Sequence, residues 1–172
     1  YVVDAPSCIS FMTIELRDAI PMDLRSQIGD WVFGCDMCQD ICPYTGAAYA
    51  EDEPEFLPKS IDHAYPPLHW LLSMDETEFR AEFSGTAVMR AKWSGMVRNA
   101  AVALGNTGSE HDLEILDRTL IEHPLDIARG HAAWAMARIE PTVSRPALFR
   151  ARQREESAYV IEEIDSALRL DR

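Results

Sequence analysis

The chain has 172 residues, 47% hydrophobic and 26% charged, enough for one or two domains with a real core. No apolar run approaches the roughly 18 residues a membrane span needs, and no signal-peptide pattern is visible, so a soluble cytoplasmic protein is expected. Net charge is −13, and residues 1–58 carry 2 Lys/Arg against 11 Asp/Glu, which argues against this half as a nucleic-acid surface.

The start, Tyr1-Val2-Val3-Asp4, lacks an initiator Met and reads like the middle of a longer protein. Cys8 then opens a short helical pattern. Ser7 is the expected N-cap, and Ile9, Met12 and Leu16 recur at helical spacing. Pro21 sits at the start of a second short helix with Leu24 and Ile28 on its apolar side, and Gly29 ends it. Trp31-Val32-Phe33 is apolar and reads as core, although rings at this position could also shield the neighbouring thiols from water.

Next come Cys35, Cys38 and Cys42 in the spacing C-x2-C-x3-C-P. With Cys8, 27 residues upstream, they are all the cysteines of the chain. Thiols this dense, without the frame of a small disulfide-rich chain, point to an inorganic centre. The C-x3-C-P ending favours iron–sulfur ligation over zinc, whose sites usually show two separated C-x2-C knuckles. In two-cluster bacterial ferredoxins the run is C-x2-C-x2-C-x3-C-P, and its last cysteine serves the other cluster. Val32 stands where the first cysteine of that run would be, and Cys8 can replace it from a distance. Three arrangements stay open on spacing alone: half of a two-cluster domain, one cluster closed by all four thiolates, or a four-thiolate zinc site.

Residues 51–58 are acidic and proline-bearing, without helical or strand period, and read as a linker. They place a domain boundary at 58, between an iron–sulfur half (1–58) and a helical half (59–172). In the second half Leu68, Leu71 and Leu72 share a face. Asp75-x-x-Glu78 predicts a capping box, Phe79 and Phe83 a core stripe, and Ser84-Gly85-Thr86 a break. Ala100–Gly105 matches Ala132–Ala137 at an offset of 32, and Ala167-Leu168 is a weaker third copy. Small residues on one helix face let helices approach closely, and 32 residues hold two antiparallel helices, so stacked pairs are expected. Gly105-Asn106-Thr107-Gly108 follows a helix and lacks a Lys, so it is a turn and a poor phosphate cradle. The five histidines show no ligand-like pairing; His131 reads as buried, and Trp93 and Trp134 as core.

Several stretches resemble one family, the tRNA epoxyqueuosine reductases: Tyr1–Ala5, Cys8–Leu16, Ile28-Gly29, Phe33–Pro43 and Val97–Gly108, in order and at the right spacing. The resemblance implies a mainly α chain: the second half of a ferredoxin-like two-cluster domain, then a HEAT-like repeat domain. It implies reduction of the epoxide of epoxyqueuosine, at the tRNA wobble position, to queuosine. Two 4Fe–4S clusters and a cobalamin serve that reaction. Cys8, Cys35 and Cys38 then hold one cluster and Cys42 the next. Cobalamin and the catalytic acid lie outside this chain, which names no catalytic residue and is expected to be inactive alone. Tyr44 takes a position where family members often carry Trp. A monomer is implied, with tRNA as partner and an undefined electron donor. Arg90, Lys92, Arg98 and Arg129 are the expected tRNA contacts, through phosphates. The alternative is an electron-transfer module whose helices dock a protein.

Overall fold

The computed structural model describes residues 4–45 and 57–169. It is helical, with no strand among the described residues. Most of the linker reading falls on 46–56, outside the described residues.

The first part is built from short turns. A 3-10 turn, Ala5–Ser7, leads into a helical stretch whose Phe11–Glu15 segment is a π turn closed by the Leu16 N–H on the Phe11 carbonyl, 2.9 Å. Ser7 does not cap this stretch as expected. It closes the 3-10 turn, and its hydroxyl donates to the Asp4 carboxylate at 2.7 Å. Helix α1, Met22–Arg25, follows Pro21, and Gly29 turns the chain at φ +64°. Helix α2, Met37–Asp40, carries Cys38.

The second part runs through α3 (Ile61–Ala64), α4 (Leu68–Ser73), α5 (Glu76–Phe83), α6 (Lys92–Thr107), α7 (Leu113–Glu122), α8 (Asp126–Ile139), α9 (Pro141–Arg152) and α10 (Ala158–Ala167). The Asp75 carboxylate accepts the Glu78 N–H at 2.8 Å, and the Asp75 N–H donates to Glu78 at 2.9 Å, so the expected box caps α5. Phe79 and Phe83 are buried.

Helices α6, α8 and α10 pack side by side as one layer, with α7 and α9 against them. The offset-32 alanines form the seam. A Cβ on Gly105 would lie 2.6 Å from the Trp134 ring and 2.9 Å from the Ala135 Cα, so the two helices approach closer than any side chain there permits. Ala100–Ala103, Ala132, Ala133 and Ala135 are fully buried.

Candidate metal centre

The two cysteine-bearing segments of the described chain are short turns with little regular hydrogen bonding of their own. Cys8 follows the 3-10 turn, and its carbonyl accepts the Met12 N–H at 3.0 Å. Cys35 follows Gly34, at φ +75°, a left-handed conformation that suits glycine. Cys38 is exposed on α2, and Cys42 lies just past it, its N–H donating to the Gln39 carbonyl at 3.1 Å. Cys8, Cys35 and Cys42 are half-buried.

Thr13 joins the two segments. Its hydroxyl donates to the Ile9 carbonyl at 2.8 Å and accepts the Gly34 N–H at 3.0 Å, one residue before Cys35. Asn99, buried on α6, spans both from above: its amide nitrogen donates to the Thr13 carbonyl at 2.7 Å and the Val32 carbonyl at 2.8 Å. The carbonyl of Val32, the residue read from sequence as standing in a cysteine's place, is thus a backbone anchor.

Arg98 corrects the sequence reading. Expected on a phosphate-binding surface, it is fully buried. Its guanidinium donates to the carbonyls of Met12 (2.6 Å), Leu16 and Asp18 (both 2.8 Å), and to the Asn99 amide oxygen. These carbonyls lie in and just beyond the π turn, so Arg98 serves as its cap from another part of the chain. Burial, then the nearby Arg17 charge, lowers its pKa to about 10, which leaves it charged at neutral pH.

Arg129 is also committed to structure. It donates to both Glu155 oxygens (2.8 and 3.0 Å), to Asp126 (2.8 Å) and to the His123 carbonyl (2.9 Å). Its side chain is 15% exposed, and the bond to Glu155 raises its pKa. Four of its five N–H groups are thereby committed within the chain. Arg90 and Lys92, by contrast, are exposed. Arg90 pairs with Glu15, and Arg17, which sequence reading passed over, donates to the Ala91 carbonyl between them at 3.3 Å. Arg17 and the Arg90–Glu15 pair thus lie where the cysteine-bearing part touches the helices.

The same interface holds other residues that sequence reading missed or left without a role. Asn106 donates to the Arg25 and Gly29 carbonyls at 2.8 and 2.9 Å. His131 is buried as expected, and its Nε2 accepts the Ile20 N–H at 3.2 Å while Nδ1 bonds the Ile127 carbonyl at 2.7 Å. That pairing fixes the neutral tautomer with its proton on Nδ1, and burial lowers its pKa well below the ordinary value. Trp134 is buried, and Trp93 is anchored by its Nε1 donating to the Met74 carbonyl at 2.8 Å, so both belong to the core. Val32 and Phe33 pack against that core, while Trp31 and Tyr44 are exposed.

Among the described residues no three His, Cys, Asp or Glu side chains converge as ligands of a single ion. A cubane puts each thiolate on a different iron, whereas a zinc site gathers its thiolates on one ion.

A family model described as a 4Fe-4S double cluster binding domain matches residues 1–45. The epoxyqueuosine reductase of Escherichia coli (strain K12) is 42% identical over 138 residues, 80% of this chain and 36% of the relative. That of Pseudomonas aeruginosa is 38% identical over 139 residues, 80% and 38%. By sequence and fold, the chain is similar to one part of the epoxyqueuosine reductases. Among solved epoxyqueuosine reductases, that of Bacillus subtilis superposes with a TM-score of 0.90 at 29% identity over 98% of this chain and 45% of its own. Another, solved with an epoxyqueuosine-modified tRNA-Tyr stem loop, gives 0.89 at 30% identity, covering 98% and 44%. The chain thus spans little more than a third of the curated epoxyqueuosine reductases it matches. The 4Fe–4S domain at its start matches the expectation from the cysteine spacing.

Proposed function

We propose that this chain is the electron-delivering and tRNA-holding part of an enzyme that reduces the epoxide of epoxyqueuosine in tRNA to queuosine. The observation that carries this reading is the 42% identity to a curated epoxyqueuosine reductase across 80% of the chain. The superposition on a family member crystallised with a modified stem loop supports it.

In this reading residues 1–58 are the second half of the double-cluster domain, and 59–172 a HEAT-like domain. Cys8, Cys35 and Cys38 hold one cluster and Cys42 bridges to the next. Two clusters need eight thiolates, and the other four come from residues outside these 172. Bound clusters supply low-potential electrons one at a time, and a cobalamin held outside this chain is where they are spent. The chain's own residues fix the cysteine-bearing turns and present Arg90, Lys92 and Arg17 to the tRNA phosphates, in the cytoplasm.

The test is anaerobic purification of the protein at the length its gene encodes. Close to eight irons and eight sulfides per chain, and turnover of epoxyqueuosine-containing tRNA, are expected. A colourless zinc protein would overturn the cluster reading. A protein with clusters but no action on that tRNA would overturn the substrate.

A further inference from the structure

Cys8 and Cys35 stand 27 residues apart on turns that share no ladder or helix, yet a cluster needs their sulfurs at fixed separation. We propose that Asn99 is the positioning residue that holds the two turns in register for the cluster bound by Cys8, Cys35 and Cys38. The inference rests on the iron–sulfur reading above.

Asn99 is fully buried on the sixteen-residue α6, the most extended rigid element available. Both protons of its amide nitrogen are used, one on the Thr13 carbonyl and one on the Val32 carbonyl. Its oxygen accepts from the Arg98 Nε and Nη2 at 3.0 and 2.9 Å. A guanidinium on one side and two carbonyls on the other fix which way the amide points. The register then passes through Thr13, whose hydroxyl ties Ile9, next to Cys8, to Gly34, next to Cys35. Every link in this path is 3.0 Å or shorter. Without Asn99 the Val32 carbonyl loses its anchor, and the loop that aims Cys35 and its neighbouring N–H groups is free to shift. Those groups and the solvent access they control set a cluster's potential.

The test uses the gene-length protein with its clusters, purified anaerobically. Asn99→Leu removes both donors and keeps the branched shape, and Thr13→Val removes the hydroxyl; Thr13→Ser keeps it. Asn106→Leu is the control, since Asn106 makes two similar bonds in the same interface but to carbonyls outside both cysteine-bearing turns. The readouts are the electron paramagnetic resonance signature of the reduced protein, its midpoint potentials, and the rate of iron loss to a chelator. Asn99→Leu and Thr13→Val are expected to alter the signature of one cluster, shift its potential and speed iron loss by about tenfold. Thr13→Ser and Asn106→Leu are expected to match the wild type, even where Asn106→Leu lowers the unfolding temperature. A wild-type signature and iron-loss rate in Asn99→Leu overturns the proposal, as does an Asn106→Leu protein that perturbs the cluster equally. Where Asn99→Leu does not fold, Thr13→Val decides alone, and unchanged cluster properties in it overturn the proposal. A wild-type protein without iron and sulfide overturns the cluster reading, and the inference with it.

Discussion

The guanidinium of Arg25 and the carboxylate of Glu163 meet through two hydrogen bonds, 2.8 and 2.6 Å long, across 138 residues of sequence. Their side chains are 1% and 9% exposed. Arg25 also donates through Nε to the Ile20 carbonyl at 2.9 Å and lies over the Trp134 ring. The pair fastens the cysteine-bearing part to the last helix of the array. Glu163→Gln leaves a buried charge without its counter-ion and is expected to cost about 3–5 kcal/mol. The measurement is the midpoint of urea unfolding. Arg25→Met combined with Glu163→Leu is expected to recover most of the loss, because neither partner is then stranded.

Gly105→Ala is expected to destabilise the protein although alanine is the better helix former by about 1 kcal/mol. The new methyl would sit 2.6 Å from the Trp134 ring and 2.9 Å from the backbone of α8, which cannot turn away as a flexible side chain would. Overpacking of this kind costs about 1–3 kcal/mol. A thermal unfolding midpoint at or above that of the wild type would show that the seam is looser than these distances require.

Acidification is expected to lower stability from the upper side of the histidine range downward. Burial holds His131 neutral in the fold, and burial, then Arg129, lowers His123 to about 4. Unfolded, each regains an ordinary value of 6.5, so below that pH the unfolded chain binds more protons than the folded one. Stability therefore falls as pH drops from about 6.5 toward about 4. Unfolding midpoints collected across that window should descend, and His131→Gln, which keeps an acceptor for the Ile20 N–H, should make the descent shallower. A flat profile would mean that these histidines are charged in the fold.

Arg90→Glu with Lys92→Glu is expected to weaken binding of a tRNA stem loop and to flatten its dependence on salt, with little change in unfolding midpoint. Arg98→Ala and Arg129→Ala are expected to do the reverse and lower stability by several kcal/mol, because each leaves two or more carbonyl or carboxylate groups without a partner. Binding titrations at two salt concentrations, beside unfolding curves, separate the two classes.

The contrast between Arg98 and Asp75 explains what could be read from sequence. Asp75 and its partner Glu78 lie three residues apart, so the capping box is a local pattern. The alanine seam is equally plain, because its period repeats at an offset of 32. Arg98 finds its carbonyls 80 to 86 residues away, in and just beyond a π turn that no periodicity announces. An arginine inside an otherwise small, apolar helix stretch is a signal of burial, and the Ala100–Gly105 run beside Arg98-Asn99 carried it. Charge counting instead grouped Arg98 with exposed cations. The 4Fe–4S domain was legible because cysteine spacing is a local pattern. Thr13 and Asn99, which tie the cysteine-bearing turns together, have no such signature.

The carbonyl groups of the π turn and of the chain around Val32 find their partners on α6, and Arg25 finds its own on α10. The earlier of these two parts thus depends for its closure on the later one. Residues 4–45 leave the exit tunnel with two four-residue helices and without Glu163, so vectorial synthesis cannot complete them in order. The cysteine-bearing turns are therefore expected to close on the assembled helices, which hold the partners of their carbonyl groups.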